Sequence, residues 1–292
     1  MQPLAIILVL ISAAMHALRS YFTKKALDKQ AFVWWYEVFG LLFFTPVFLF
    51  VLFQKSSPIV IAAPYIVLSG FAHFIYWYFL TAALEKGDLS LVYPIMRSSP
   101  ALVLLFSLTI LHEDVSAFGV IGILLVAIGV YTISMERFDV EHLTLPLRAL
   151  VRDRAIQFAL LTLLSVAGYS LIDKLAVGLM HPVIFAYIYP WISMGLFTPY
   201  IYSRKKQGIL KKEWTVHKLA ILICGVLSIF GYFLILVAFT MEPLSYVVGL
   251  RQLSIVFAVM LGGHVLGERN RRGRLISGIL IFSGSYLIAI AG

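Results

Sequence analysis

The sequence predicts an all-α membrane protein: ten transmembrane helices arranged as two inverted five-helix repeats. Three observations carry that prediction. The chain of 292 residues is 61% hydrophobic and only 13% charged, outside the range of soluble domains. Its apolar residues fall into ten runs, roughly 4–22, 31–53, 58–83, 89–111, 117–134, 155–172, 182–202, 218–239, 244–266 and 275–291, most of them close to the ~20 residues that cross a bilayer. Finally, LSLVYPIMRSSPALVLLFSLTILHE (Leu89–Glu113) and LSYVVGLRQLSIVFAVMLGGHVLGE (Leu244–Glu268) align without a gap at an offset of 155.

The loop after the first aligned segment has no Lys or Arg, and the loop after the second has four. Matching loops that differ this sharply in positive charge predict halves inserted in opposite orientation. Five runs precede the polar stretch Met135–Arg154 and five follow it, and an odd number per half forces the inversion. The expected organisation is a first repeat over 1–134, a linker over 135–154 and a second, inverted repeat over 155–292. Further echoes agree: Ser20, Lys24 and Ala26 recur as Ser170, Lys174 and Ala176, Phe44-Thr45-Pro46 as Phe197-Thr198-Pro199, and Tyr78-Phe79-Leu80 as Tyr232-Phe233-Leu234.

The first run, MQPLAIILVLISAAMHA, has the apolar stretch of a signal peptide without its basic start, and reads as a spanning helix. Ser12, His16, Arg19 and Thr23 follow at spacings of 4, 3 and 4, one face of a helix that must turn inward. His16 suits either a proton relay or a plain interhelical hydrogen bond. In the second run Glu37 reads as the one acid well inside an apolar span. It fits proton coupling, capture of an amine, or a salt bridge to Arg19 or Arg97. Trp34, Trp35 and Tyr36 beside it read as an interfacial aromatic belt. The third run offers His73, Tyr76, Trp77 and Tyr78 as a cavity wall or as packing.

In the fourth run Arg97 sits nine residues past Asp88, roughly 13 Å deep at 1.5 Å per residue. Pro94 and Pro100 flank it and Tyr93 lies one turn earlier; prolines at this depth are tolerated only against protein or a wet cavity. Arg251 holds nearly the same place in the ninth run, about 12 Å past Pro243, with Tyr246 and Gly249 before it. Guanidinium grips carboxylate or phosphonate in bidentate fashion, so two such arginines could clasp one anion between the repeats; they could equally face separate protein partners. Thr162, Ser165, Tyr169 and Asp173 form the sixth run's counterpart stripe. Glu113 and Glu268 close the fourth and ninth runs, a repetition that points to capping or pairing. Gly119, Gly122, Gly278 and Gly284 fit close packing of the fifth and tenth helices.

The net charge of +9 is one-sided: loops after odd-numbered runs hold 18 of the 23 basic residues. The positive-inside rule then puts those loops in the cytoplasm and both termini outside, with the basic face on lipid headgroups rather than nucleic acid. The lone Cys224 supplies no disulfide or metal cluster. Paired aspartates, HExxH and a Walker A sequence are all missing, so no enzyme, cofactor or ATP-driven cycle is expected.

Two five-helix halves, a lysine just past the first helix of each, a Glu closing the fourth, and YWYFLTAAL before GDLSLVYP resemble the drug/metabolite transporter superfamily, EamA-type branch. The resemblance covers essentially the whole chain. It implies a ten-helix inverted repeat with a central cavity lined by helices 1, 3, 4, 6, 8 and 9, helices 5 and 10 packing peripherally with room for a homodimer. HALRSYFTKKALDKQAFVWW and GDLSLVYPIMRSSP are similar to a subgroup associated with phosphonate use. Many relatives are drawn with both termini in the cytoplasm, opposite to the charge count here. The expected function is a plasma-membrane secondary transporter for a small polar solute bearing a carboxylate or phosphonate, coupled to a proton or counter-solute. The candidate substrate-binding residues are Arg97, Arg251, Tyr93, His16, Glu37, His73, Trp77, Tyr78, Tyr232 and Tyr246. Efflux of hydrophobic cations through Glu37 and the aromatics is the alternative, followed by a lipid-headgroup translocase or scaffold subunit.

Overall fold

A computed structural model describes residues 1–55, 57–87, 92, 95–133, 153–204, 207–258 and 271–291. Ten α-helices account for nearly all of them: α1 (Pro3–Lys25), α2 (Lys29–Gln54), α3 (Ile59–Lys86), α4 (Ser99–Thr109), α5 (Ala117–Thr132), α6 (Arg154–Leu179), α7 (Pro182–Arg204), α8 (Gln207–Phe239), α9 (Leu244–Arg251) and α10 (Arg271–Ile290). No strand occurs among the described residues. The helices α1, α2, α3, α6 and α8 are long and apolar enough to span a membrane; α4, α5, α9 and α10 give shorter apolar helices. Lipid offers the backbone no hydrogen-bond partner, so helices that satisfy it internally are the form such runs must take.

Contacts at the helix ends fix the direction of each helix. One end of the bundle brings together the amino terminus of Met1 with Ala289 O at 3.0 Å, Ser57 with His181, and Ser116 with Tyr246. The other brings together Asp28 with Glu213, Trp35 with Leu210, and Thr132 with Ser277. Thus α1, α3, α5, α7 and α9 run one way and α2, α4, α6, α8 and α10 the other. Helix α1 and its repeat mate α6 are antiparallel, as the charge asymmetry of the matching loops predicts. Lys25, Lys29, Lys86, Arg204, Lys211 and Lys212 lie at the second end, called the basic end below.

The repeats interdigitate rather than stand side by side. Helix α3 packs along α6, mirrored by α8 along α1, and α2 packs along α8, mirrored by α7 along α3. Without a hydrophobic drive between helices in lipid, such contacts depend on close backbone approach. A Cβ built on Gly40 of α2 would stand 2.7 Å from Gly225 O of α8. Helices α5 and α10 pair on the periphery, where a Cβ on Gly122 would stand 2.7 Å from Gly284 O. Gly119 is covered by Tyr246. These three glycines are used within the chain, which leaves Gly278 alone of the expected small-residue stripe facing open space.

Two boundaries depart from expectation. Helix α6 continues to Leu179 instead of ending near 172, because Asp173 and Lys174 are both buried or bonded inward and do not end the span. Helix α8 starts at Gln207 and turns at His217 (φ −115°, ψ 21°). Its first segment folds over the start of α2: Glu213 accepts from Asp28 N at 2.8 Å and meets His217 Nδ1 at 2.6 Å. Trp34 and Trp35 are therefore not a lipid-facing belt. Their indoles donate to Thr198 Oγ1 and Leu210 O, both at 3.0 Å.

Overpacking a filled interface costs ~1–3 kcal/mol, so Gly122→Leu lowers the melting temperature of the detergent-solubilised protein, while Gly278→Leu leaves it unchanged. Differential scanning fluorimetry checks both.

Candidate functional site

The fourth and ninth helices are interrupted at corresponding places. Helical residues Ile95–Arg97 are followed by Ser98 (φ −75°, ψ 15°), after which α4 restarts at Ser99. Pro100 has no N–H to give back to residue 96, which explains the restart. Helix α9 ends at Arg251, with Gln252 N turning back to Gly249 O at 3.1 Å, and residues 253–258 resume the helix. An arginine thus stands immediately before the break in each half.

Both arginines line a central cavity of about 300 Å³. Helix α1 contributes Ser12, His16 and Arg19, α3 His73, Tyr76 and Trp77, and α8 Ser228 and Tyr232. Helices α2 and α7 also take part, through Glu37 and through Tyr189, Pro190 and Ser193, so the wall is wider than the helix set the resemblance implies. Pro190 frees the carbonyl of Ala186, and both line the space. Kinking prolines are tolerable there for that reason. The lining reaches exposed Lys29 at the basic end.

The opposite end is closed by charge. Lys174 Nζ donates to Phe239 O at 2.6 Å and Glu242 O at 2.8 Å, and pairs with Glu113 Oε1 at 3.3 Å. Glu113 also accepts from Leu244 N at 2.8 Å and Ser107 Oγ at 2.7 Å, while Glu242 accepts from Gln2 N. This network ties α4, α6, α8, α9 and the chain start into one plug. Glu113 acts as a pairing and capping group there; its counterpart Glu268 lies outside the described residues.

Within the cavity, Arg19 Nη1 donates to Ser228 Oγ at 2.6 Å and stands 3.6 Å from Glu37 Oε1. Ser228 Oγ donates to that same oxygen at 2.7 Å. Of the three readings of Glu37 the geometry favours the salt bridge, with Arg19 turned inward rather than toward the loop. Among the described residues no carboxylate pairs with Arg251. Its guanidinium carbon sits 5.3 Å over the ring of Tyr232. His73 stacks between Tyr169 (4.1 Å) and Tyr189 (4.6 Å).

The candidate residues divide. His16, Glu37, His73, Trp77, Arg97, Tyr232 and Arg251 come together around one space. Two must be corrected. Tyr78 is 38% exposed on the outer face of α3, edge-on to Tyr200. Tyr246 sits at the start of α9, where its hydroxyl accepts from Ser116 N at 2.9 Å, about 1.4 turns of helix before Arg251. Tyr93 lies outside the described residues.

Two groups were not counted among the candidates. Asp173, read as the end of the sixth run's polar stripe, is fully buried, so Glu37 is not the one acid inside a span. Ser193 lines the cavity with a buried hydroxyl that has no partner among the described residues. The echo of Ser20 and Lys24 in Ser170 and Lys174 was the signal that α6 extends past Asp173; Ser193 carries no sequence signal.

The model of the EamA-like transporter family matches residues 3–135 and again 153–290. The chain belongs to that family. It is a multi-pass membrane transporter of the drug/metabolite type, built on the family's two-repeat architecture. One solved crystal structure superposes with a TM-score of 0.73 over 98% of each chain at 14% identity, a likeness of fold alone. Curated proteins give no match to this EamA-type chain.

Breaking a buried ion pair by removing one partner costs ~3–5 kcal/mol. Glu37→Gln therefore destabilises the transporter, and the double change Arg19→Met with Glu37→Gln recovers most of the loss. Thermal melts in detergent check this; a double variant no better than the single one contradicts the pairing.

Proposed function

We propose that this transporter moves a small organic anion bearing a carboxylate or phosphonate across the plasma membrane by alternating access of its two repeats. The observation that carries the reading is Arg251. A cation within a membrane span is costly, ~2.5–3.5 kcal/mol by insertion scales, and this one faces the cavity with an aromatic ring rather than a carboxylate against it. A bound anion supplies the missing charge. Arg97 faces the same space from the symmetry-related break, and Ser193 offers a donor.

Helix α4 restarting at Ser99 supports the same conclusion. Discontinuous helices at mid-membrane turn half-helix N-termini toward anionic groups, whose charge those termini favour. A volume of about 300 Å³ is at the lower end of ligand sites and suits a small solute. Efflux of cations is disfavoured, because Glu37 is engaged by Arg19 and Ser228.

The cavity reaches the basic end, which the one-sided charge assigns to the cytoplasm; this conformation is then inward-facing. The Lys174–Glu113 plug closes the outer side and must release for the site to face outward. The cycle draws on an ion or solute gradient.

Charge-assisted hydrogen bonds are worth ~1.5–3 kcal/mol. Arg251→Ala and Arg97→Ala therefore each weaken binding of methylphosphonate, 2-aminoethylphosphonate or succinate by about 10- to 100-fold, measured by transport in proteoliposomes and by ligand-induced melting shifts. Anions handled equally well by wild type and both variants would exclude the reading. Single cysteines at Lys212 and Ser57 in a Cys224→Ala background test orientation: position 212 reacts only with reagent on the cytoplasmic side and position 57 only outside.

A further inference from the structure

At the edge of the cavity lies a cluster whose acid, Asp173, the transport reading leaves unused. Asp173 of α6 accepts a hydrogen bond from Ser69 Oγ of α3 on Oδ1 and from the Tyr232 hydroxyl of α8 on Oδ2. Across from Oδ2, at 3.8 Å, stands Nε2 of His73. The other ring nitrogen, Nδ1, lies 2.9 Å from the carbonyl oxygen of Ser69. A carbonyl only accepts, so Nδ1 carries the ring hydrogen. In the neutral ring Nε2 then presents a lone pair to a carboxylate oxygen. Two acceptors face one another, and a single proton between them turns repulsion into attraction.

We infer that His73 and Asp173 form a one-proton site and that its proton is the coupling ion of the transport cycle. The proton reaches the pair from cavity water through His73, which lines the space, whereas Asp173 does not. It rests on Nε2 as imidazolium paired with the carboxylate, or on the carboxyl itself, and leaves by the same route. The loaded pair is neutral overall. The empty pair carries one negative charge in the membrane interior.

The groups facing the pair decide what that charge does. Tyr169 stacks on His73 from α6, Tyr189 from α7 and Tyr232 from α8; none of these is charged at neutral pH. Arg97 before α4, His16 of α1 and the Arg19–Glu37 pair line the same cavity as His73. Lys174, next in sequence, is turned away to Glu113. Arg251 lies over the ring of Tyr232, whose hydroxyl donates to Asp173, so one tyrosine joins this cation to the pair.

Arg251 can therefore compensate either the empty proton pair or a bound anion. When an anion occupies the guanidinium, the pair lowers its cost by taking up a proton; a protonated pair leaves Arg251 available. Binding of the two is cooperative, and cooperativity is reciprocal. Its sign is that of proton–anion symport. This last step rests on the anion reading given above; the proton site does not.

Infrared pH-difference spectroscopy on the purified, ligand-free transporter tests the site. Wild type gives a titrating signal, a protonated-carboxyl stretch or an imidazolium ring mode, that disappears in Asp173→Asn and persists in Glu37→Gln. Should Asp173→Asn fail to fold, Tyr232→Phe keeps the acid, removes one hydroxyl donor and displaces the same signal along the pH axis. A spectrum indifferent to both substitutions overturns the proton site. Coupling is read separately with methylphosphonate: uphill uptake driven by an imposed proton gradient falls at least tenfold in Asp173→Asn while downhill counterflow continues. Equal loss of both, or of neither, overturns the coupling role. A wild type that moves no anion at all overturns the anion reading, and with it the coupling claim, and leaves the infrared result standing.

Discussion

Charge placed in the membrane interior must be answered, and that requirement organises this molecule. Arg19 is answered by Glu37 and Ser228, and Lys174 by Glu113 and two backbone carbonyls. The carboxyl of Asp173 is met by two hydroxyls, with His73 beside it. Ser228, Glu113, Ser69 and His73 each meet a charged residue of the other repeat, so contacts that make the charges tolerable also hold the halves together. Arg251 differs, with an aromatic face where the others have a carboxylate. In the proposed reading a bound anion completes this site, and the ligand then brings stabilisation that the empty protein lacks.

Inversion of the repeats explains why the polar residues converge. The relation between inverted repeats matches the interruption before α4 to the one after α9, and the residues at both line one cavity. In the sequence, Lys174 and Glu113 of the plug have Lys24 and Glu268 as their repeat counterparts. In the proposed cycle, with one end tied and the cavity reaching the other, the interdigitated contacts of α3 with α6 and α8 with α1 are the surfaces along which the repeats would shift.

The fold was largely legible because hydropathy, repeat alignment and loop charge each report on a different constraint of the bilayer and agree. Arg97, Arg251, His16 and the His73–Trp77 run were legible for a similar reason: polar groups inside apolar runs have nowhere to go but inward. Asp173 was read on the inward stripe but not as a buried site, because the Asp-Lys pair reads as the end of a span; its partners Ser69 and Tyr232, which make its burial tolerable, lie far away in sequence. Tyr246 and Tyr78 misled because a tyrosine near an arginine, or in an aromatic run, has no marked side. Tyr246 is directed to Ser116 and Gly119, Tyr78 to the outer surface. Trp34 and Trp35 read as a belt by composition, yet their indole donors find Thr198 and Leu210 across helix contacts that no local pattern encodes.

The central claim is that the guanidinium groups at the two helix breaks face a common cavity in order to hold an anion. An experimental structure determined in lipid with 2-aminoethylphosphonate is its most direct test. The account predicts ligand density between Arg97 and Arg251, within hydrogen-bond reach of both and near Ser193. Ligand density elsewhere, with Arg251 engaged by a protein carboxylate, would contradict it.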